Sequence, residues 1–253
     1  MFHARLDPGA NHGVGVAFTD RHGGVSQGPL GTLNLGRADA DDRVALRENL
    51  ALVRASLGLT AIATVHQVHG TRVHEITAET LAALPHADPA GHESPDSLVG
   101  DALVTRMKGV GIAVRAADCL PILLADPTAG VVGAAHAGRQ GLIDGVLQAT
   151  LAAMADLGAA DVEAWVGPSV CGRCYEVPAA MRAEVAAEIP ETWAVSATGS
   201  PALDLAAGAH AVLVKQGCRV VDLGGCTRES ADLHSYRRDG AEAGRLAGIC
   251  WLG

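Results

Sequence analysis

The chain has 253 residues, of which 49% are apolar and 19% charged, so it can bury a sizeable core and is too apolar to be disordered. A net charge of −9 and an aromatic content of 3% argue against a protein that binds nucleic acid through phosphates or stacked bases. No secretory signal or uninterrupted apolar span is seen, and the six cysteines are too scattered for a disulfide scaffold, so a cytoplasmic protein is expected.

The first part of the chain predicts four regular elements followed by a mobile loop. The four elements are a strand over 13–19, a helix over 41–57, and strands over 63–68 and 72–76. Asp41 or Asp42 can cap the helix, and Gly58 can end it. The polar segment 78–100 contains three prolines and is the predicted mobile loop.

The second part of the chain mixes antiparallel strands with helices. The predicted elements are strands over 102–105 and 111–115, a hairpin over 119–136, a helix over 141–157, a strand over 164–166, helices over 178–188 and 203–216, and a strand over 219–222. This order favours an α+β fold with layered sheets over a doubly wound parallel sheet. No linker divides the chain, so one domain is expected.

The most informative stretch runs from Cys119 to His136. Two apolar runs flank the turn-forming residues 126–130, which is the pattern of a hairpin with a five-residue loop. Folding about Thr128 places residue 119 or 120 opposite His136, where cross-strand Cβ atoms are about 4.5–5.5 Å apart. A thiol and an imidazole therefore meet at the open end of the hairpin, either as a Cys–His dyad or as two metal ligands.

A third candidate ligand is His69, which, like Cys119 and His136, lies beside glycine or proline at the end of an apolar strand. One cysteine and two histidines suit a catalytic zinc site, which keeps a fourth position for water or substrate. The spacings match no short-range metal motif, so a buried structural cysteine with two hydrogen-bonded histidines is the alternative. His66 precedes His69 by three residues and is expected to face the opposite side of a strand.

Two positively charged segments could bind an anion. Backbone N–H groups at the start of the helix after His136 attract anions, and Arg139 adds a positive charge there. A plain strand-to-helix turn is the alternative interpretation. The charged run 235–240 is either a solvated turn or a segment that brings Arg238 to an anionic substrate.

Cys171 and Cys174 form a C-x-x-C pair, which suggests zinc or redox chemistry. A structural zinc would need a second pair, for which Cys218 and Cys226 are loose candidates. No thioredoxin-like context surrounds the pair, which argues against a redox motif. Two incidental thiols in a loop are therefore the favoured interpretation.

Several motifs occur in the order typical of a known protein family. The motifs are VHQVHGTRV at 65–73, DALVT at 101–105, ADCLP at 117–121, AHAG at 135–138, RHGGVS at 21–26, GPS at 167–169, YEV at 175–177 and SYRRDG at 235–240. The sequence resembles the YfiH-type family, whose members are variously called multicopper polyphenol oxidases (laccase-like), purine nucleoside phosphorylases or peptidoglycan editing factors. The resemblance covers nearly the whole chain.

This resemblance implies a single domain over 1–253 with a layered α/β/α fold and mixed, largely antiparallel sheets. It also implies a catalytic metal centre formed by three residues of the quoted motifs, namely His69, Cys119 and His136. The metal implied is zinc, and copper is the alternative.

The same resemblance implies phosphorolysis of adenosine, inosine and S-methyl-5′-thioadenosine, and deamination of adenosine. The partners are then a purine nucleoside and phosphate, with neither nucleic acid nor a membrane. Substrate binding is expected from three arginines, Arg139, Arg21 and Arg238. The family usually has Trp-Arg where this chain has Arg139-Gln140, so Arg139 would hold an anion from the neighbouring position. Asp20 also replaces a small hydroxyl residue.

Other functions compete with the nucleoside hypothesis. Cys119 could act as a nucleophile with His136 as its base and cleave an amide-like bond in a peptidoglycan precursor. Copper-dependent oxidation of polyphenols is another alternative, although the chain lacks the dense His-x-His pairs of a multinuclear oxidase. A metal-storing or partner-binding protein is the non-enzymatic alternative.

Overall fold

Two mixed β-sheets pack face to face, and helices cover their outer faces. The computed structural model describes residues 1–36, 41–84 and 98–253. Within them the strands are β1 (Phe2–Leu6), β2 (Val14–Thr19), β3 (Ala61–Ala63), β4 (Val73–Glu75), β5 (Ala102–Thr105), β6 (Val110–Ala116), β7 (Leu120–Asp126), β8 (Val131–Ala137), β9 (Glu163–Val166), β10 (Trp193–Val195), β11 (Pro201–Leu203), β12 (Arg219–Asp222) and β13 (Leu246–Leu252). The helices are α1 (Arg43–Ser56), α2 (Ala78–Ala83), α3 (Arg139–Asp144), α4 (Val146–Asp156), α5 (Ala179–Glu188), α6 (Leu205–Lys215) and α7 (Tyr236–Asp239).

The strand order mixes neighbours in sequence with distant ones. The first sheet has the order β1-β2-β13-β6-β3, the second has the order β12-β9-β7-β8-β5-β4, and β10 pairs with β11. The pairs β3–β6, β4–β5 and β9–β12 are parallel, and the other pairs described are antiparallel. The α+β fold with mixed, largely antiparallel sheets that was expected from the sequence is confirmed.

Apolar side chains fill the spaces between the layers. Phe18, Leu103, Leu123 and Trp165 are buried between the two sheets. Helix α1 covers the outer face of the first sheet, while α3, α4, α5 and α6 cover that of the second. The order of the layers is thus helices, first sheet, second sheet, helices. The single β-layer of the expected α/β/α arrangement therefore corresponds to two packed sheets. No helix in the described ranges combines the length and apolar character needed to cross a membrane.

Most of the predicted elements are present. The helix expected over 41–57 is α1, and the side chain of Asp42 caps it by accepting a hydrogen bond from the backbone N–H of Val44. The strands expected over 102–105 and 219–222 coincide with β5 and β12.

Three predicted segments differ from the structure. The helix over 141–157 is divided into α3 and α4, because Gly145 adopts a left-handed conformation with a φ of 94° and ends α3. The strand predicted over 63–68 is not formed beyond Ala63, where β3 ends, and the chain continues as the loop that carries His69. Part of the mobile loop expected over 78–100 is α2, and residues 85–97 of it lie outside the described residues.

The central hairpin, β7 and β8, has a different register from the predicted one. Pro121 pairs with His136, where a residue one or two positions earlier was expected. Because Asp126 pairs with Val131, the loop has four residues, 127–130, and not five. Cys119 therefore precedes β7, on the same face as His136 and diagonally opposite to it.

Candidate metal centre

Three side chains of types that can bind a metal, the candidate ligands, converge at the open end of the hairpin. The ligand atoms of His69, Cys119 and His136 all lie within 4.8 Å of one another. The Cys119 Sγ atom is 3.8 Å from His69 Nε2, and the centroids of the two imidazole rings are 4.9 Å apart in an edge-on arrangement. The structure thus brings together the three residues that the sequence analysis had selected.

The backbone places each ligand in a different way. His136 belongs to β8, whereas Cys119 follows Asp118, whose φ of 92° turns the chain just before β7. His69 itself has a φ of 61°, a region that residues other than glycine rarely adopt. A Cβ atom at Gly138 would lie 2.6 Å from His69 Cδ2 and 3.2 Å from Cys119 Sγ. Glycine is therefore required at position 138 for the two ligands to approach.

Asp101, which the sequence analysis missed, connects the two histidines. It is fully buried just before β5, and its Oδ1 atom is 2.8 Å from His136 Nδ1. Its carboxylate also accepts hydrogen bonds from three consecutive backbone N–H groups, those of Val68, His69 and Gly70. A carboxylate on Nδ1 leaves Nε2 of His136 as the donor for a metal. Asp101 is the first residue of the DALVT motif, and no role was assigned to it from the sequence.

The electrostatics of the site favour a deprotonated thiol. Burial raises the pKa of the Cys119 thiol, but the charges and hydrogen bonds of His136 and His69 outweigh it and lower the pKa to about 6. Burial lowers the pKa of His136, whereas Cys119 and Asp101 raise it to about 9. A thiolate and two imidazole nitrogens are ligands that zinc and copper prefer. The residues present therefore fit an ion of either metal.

The side chains of His69, Cys119 and His136 line a cavity of about 860 Å³. Proteins bind small molecules in cavities of roughly 300–1,000 Å³, so this volume suits a small-molecule substrate. Both tyrosines of the chain, Tyr175 and Tyr236, line the cavity. Its positively charged lining residues are Arg115, Arg139, Arg237 and Arg245.

The three arginines predicted to bind substrate lie in different surroundings. Arg139 lines the cavity, whereas Arg21 and Arg238 are not among the described lining residues. The guanidinium of Arg21 donates to a backbone carbonyl. That of Arg238 pairs with Asp239 and donates to the carbonyls of Thr227, Ser230 and Leu233. The neighbouring Arg237 lines the cavity, and its guanidinium carbon lies 4.6 Å from the centroid of the Tyr175 ring.

Two neighbours of the ligands also have positions that the sequence did not predict. His66 was expected to face away from His69 but lines the same cavity, because the chain between β3 and β4 is not a regular strand. The carboxylate of Asp118 accepts hydrogen bonds of 2.6 Å from the Thr227 hydroxyl and from the Arg237 backbone N–H. Asp118 thus joins the cysteine ligand to the segment around α7.

Comparison with known proteins identifies the family of the chain. A family model described as multi-copper polyphenol oxidoreductase laccase matches residues 15–253. The chain belongs to this YfiH-type family. A purine nucleoside phosphorylase of Streptomyces coelicolor is 49% identical over 246 residues, which cover 95% of this chain and 96% of that protein. A purine nucleoside phosphorylase of Deinococcus radiodurans is 41% identical over 249 residues, covering 96% and 90% of the two chains.

Solved structures of YfiH-type proteins share the whole fold. The protein NMB0706 of Neisseria meningitidis superimposes with a TM-score of 0.82 at 35% identity, covering 98% of each chain. YfiH of Bacillus licheniformis superimposes with a TM-score of 0.78 at 26% identity, covering 95% of this chain and 93% of the other. The chain therefore shares the fold of these proteins over at least 95% of its length.

Proposed function

We propose that the protein is a zinc-dependent purine nucleoside phosphorylase that acts on adenosine, inosine and S-methyl-5′-thioadenosine and also deaminates adenosine. The observation that carries this proposal is a single cavity that combines the ligands His69, Cys119 and His136 with arginine and tyrosine side chains. Relatives named purine nucleoside phosphorylase, at 48% and 49% identity, support it.

The arginines of the cavity suit the phosphate co-substrate. In phosphorolysis a phosphate oxygen bonds to C1′ of the ribose, the bond between C1′ and the purine nitrogen breaks, and the purine leaves with a proton. Arginine binds phosphate through paired N–H donors, which Arg139 and Arg237 can supply. The side chain of Gln140 donates to Asp144 at 2.9 Å, so Arg139 is the one of this pair that lines the cavity.

The tyrosines and apolar side chains of the cavity suit the purine. Aromatic rings favour stacked or edge-on contacts with another ring, and Tyr175 and Tyr236 offer two such surfaces beside Val170 and Leu205. Burial raises the pKa of the Tyr175 phenol, and the charge of Cys119 raises it further. The Tyr175 hydroxyl therefore stays protonated at neutral pH and can donate a hydrogen bond to the substrate.

His69, Cys119 and His136 would hold the zinc ion. A zinc ion bound there supplies a Lewis acid that polarises an oxygen of phosphate or water. Asp101 fixes the orientation of His136 through Nδ1 and holds the loop of His69 through its backbone N–H groups. In deamination water takes the place of phosphate, its oxygen is added to the purine ring, and ammonia leaves.

One assay tests this proposal directly. Purified protein of known metal content is incubated with adenosine or inosine, with and without phosphate, and the products are separated. We expect free base and ribose 1-phosphate in equal amounts when phosphate is present, and inosine from adenosine without phosphate. Cys119→Ala should lose the zinc ion of this centre and both activities, whereas Cys218→Ala, which changes a cysteine outside the cavity, should keep them. Protein that holds zinc at His69, Cys119 and His136 but shows neither activity would contradict the proposal.

The phosphate site is tested by Arg139→Gln. A hydrogen bond to a charged group contributes about 1.5–3 kcal/mol, so the KM for phosphate should rise roughly ten- to a hundredfold. The KM for the nucleoside should change little, because the purine contacts remain. Arg106→Gln, at an exposed arginine outside the cavity, is the matched control. Equal increases in both KM values would show that Arg139 does not bind phosphate.

A Cys–His amidohydrolase that edits peptidoglycan precursors is the second candidate. With a pKa of about 6, the Cys119 thiol is deprotonated at neutral pH and is a ready nucleophile. Attack on an amide carbonyl would release the amine and form a thioester, which water then hydrolyses. This candidate is favoured if metal-free protein still turns over the substrate and an electrophilic substrate analogue bonds covalently to Cys119. Loss of turnover on chelation favours the metal centre.

Copper-dependent oxidation of polyphenols is the third candidate, because the matching family model is described by that activity. Two groups of side chains in the described part of the chain could hold a metal, and one of them contains histidine. A multinuclear copper oxidase needs several such groups, so the geometry favours zinc chemistry. Metal quantification in protein purified without added metal distinguishes the two.

A further inference from the structure

A second group of metal-binding side chains lies away from the substrate cavity. It combines three cysteines with one glutamate, namely Cys171, Cys174, Cys226 and Glu229. Their sulfur atoms and one carboxylate oxygen all lie within 4.8 Å of one another. None of the four is among the described residues that line the cavity, so this cluster is not part of the candidate metal centre.

The four side chains occupy matched positions on two tight turns. The N–H of Cys174 donates to the carbonyl of Cys171 at 2.9 Å, and the N–H of Ser230 donates to the carbonyl of Cys226 at 3.0 Å. Within each turn two residues separate the ligands, which gives C-x-x-C in the first and C-x-x-E in the second. Structural zinc sites commonly present their ligands in pairs of this spacing.

Backbone hydrogen bonds hold the two turns side by side. The N–H of Ser169 donates to the carbonyl of Gly225 at 3.1 Å, and the N–H of Thr227 donates to the carbonyl of Ser169 at 3.0 Å. The main chain therefore sets the distance between the two ligand pairs without help from an ion. A site organised in this way loses little conformational entropy when it binds a metal.

The local chemistry also suits a cation. Cys174 Sγ donates to Glu229 Oε1 at 3.4 Å, so a thiol proton joins two of the ligands. Tetrahedral zinc with bonds of about 2.3 Å to sulfur requires sulfur atoms about 3.8 Å apart, which is compatible with the spread of these atoms.

The cluster differs from the zinc site considered from the sequence. Cys218, the candidate partner of Cys226, is buried in the apolar layer between the second sheet and its helices. Glu229 takes the fourth position instead, and it is exposed to solvent. The interpretation of Cys171 and Cys174 as incidental thiols is therefore replaced by that of a four-membered cluster.

We propose that a structural zinc ion joins the two turns by binding Cys171, Cys174, Cys226 and Glu229. On binding, the cysteine thiols release their protons to solvent. By joining the two turns, the ion stabilises residues that form one side of the substrate cavity. Tyr175, which follows the first turn, lines the cavity, and Thr227, within the second, donates to Asp118 beside the cysteine ligand of the first centre.

Cobalt(II) binding tests this site in a variant that lacks the candidate metal centre. The double substitution His69→Gly and Cys119→Ala removes two ligands of that centre, and glycine tolerates the positive φ at position 69. We expect the reduced double variant to bind one equivalent of cobalt, with thiolate-to-cobalt charge-transfer absorption and the visible bands of tetrahedral cobalt. Zinc should displace the cobalt. Absence of thiolate absorption would overturn the proposal.

Further substitutions in the same background test the ligands themselves. Cys171→Ser with Cys174→Ser should abolish cobalt binding, whereas the matched control Cys218→Ser should keep it. Glu229→Cys would complete a four-cysteine site, and because zinc favours soft thiolates we expect its zinc affinity to rise by at least about tenfold. Binding that survives the loss of both first-turn cysteines, or an unchanged affinity in Glu229→Cys, would refute the assignment.

A third measurement needs no substitution within the cluster, so its result does not depend on the folding of a cluster variant. The reduced double variant is alkylated with and without one equivalent of zinc, and the modified cysteines are located by mass spectrometry. Zinc should slow the alkylation of Cys171, Cys174 and Cys226 and raise the Tm. Equal alkylation rates with and without zinc, or a native disulfide between Cys171 and Cys174, would count against a zinc site.

Discussion

The carboxylate of Asp101 controls both histidines of the candidate centre. It contacts His136 directly through Nδ1, and it positions His69 through the backbone N–H groups of residues 68–70. One buried side chain therefore sets the direction of one ligand and the main-chain path of the other. Removing its charge should disturb metal binding more than a typical substitution outside the three ligands.

Asp101→Asn tests this role at nearly constant side-chain size. Loss of the partner of a metal-binding histidine typically weakens metal affinity about 10–100-fold, and we expect a decrease of this size for zinc. The measurement is competition with a chromogenic chelator. Asp161→Asn, at an exposed carboxylate paired with Arg219, is the control and should leave the affinity unchanged. An Asp101→Asn protein with wild-type zinc affinity would exclude the proposed positioning.

At the scale of the elements, the junction between β8 and α3 brings the ligands together. Gly138 connects the two elements with a φ of −73°, which any residue can adopt. Glycine is therefore needed here because there is no space for a side chain, and not because of the backbone conformation. His69 and Cys119 approach the place where a side chain would begin. A side chain at position 138 would therefore collide with both candidate ligands.

Gly138→Ala should displace the two ligands without straining the backbone. Crowding in a packed site typically costs about 1–3 kcal/mol, and here we expect it to weaken zinc binding and lower kcat/KM. Zinc affinity and phosphorolysis are measured side by side. Gly9→Ala adds the same methyl group where no atom lies within 4 Å, and it should change neither quantity. Full activity in Gly138→Ala would mean that the ligands move aside freely.

The turn of the central hairpin depends on Asp126. Its carboxylate accepts hydrogen bonds from four backbone N–H groups, those of Thr128, Ala129, Ala160 and Asp161. Burial raises the pKa of Asp126, but these N–H groups lower it below its ordinary value. Because the pKa of the folded state is the lower one, Asp126 stabilises the fold above about pH 4, and this contribution is lost as the pH falls through the folded-state pKa.

Asp126→Asn should consequently change the pH dependence of stability. At pH 7 we expect the variant to lose about 1–3 kcal/mol of unfolding free energy, because buried donors lose a charged acceptor. Below about pH 4 its stability should fall less steeply than that of the wild type. Urea denaturation at a series of pH values measures both effects, with the exposed Glu184→Gln as control. Parallel pH profiles for wild type and Asp126→Asn would disprove this account.

Elements with local signals were predictable from the sequence, and long-range contacts were not. The cap at Asp42 and the apolar run of β5 are encoded by neighbouring residues. The hairpin register was missed because Asp126 continues the strand pairing and closes the turn with its own side chain. Asp101 was missed because its partners lie more than thirty residues away along the chain. The convergence of His69 with Cys119 and His136 was expected from the family motifs, because sequence spacing alone does not predict it.

At the scale of the whole molecule, the layer between the two sheets carries much of the buried apolar surface. Leu103 on β5 is fully buried in this layer, two residues after Asp101. Leu103→Ala should lower the free energy of unfolding by about 2–5 kcal/mol, because the cavity can collapse only partly. Urea denaturation measures this loss. Val44→Ala, at a residue 62% exposed on α1, should stay within about 0.5 kcal/mol of the wild type, and a similar loss in both variants would contradict the argument.

The position of β13 has a consequence for biosynthesis. This strand follows every other described element in the chain, yet it lies in the middle of the first sheet, between β2 and β6. Until residues 246–252 have left the ribosome, β2 and β6 lack the strand that joins them. Unpaired strand edges are templates for aggregation, so nascent chains shorter than this should depend on chaperones until the missing strand arrives.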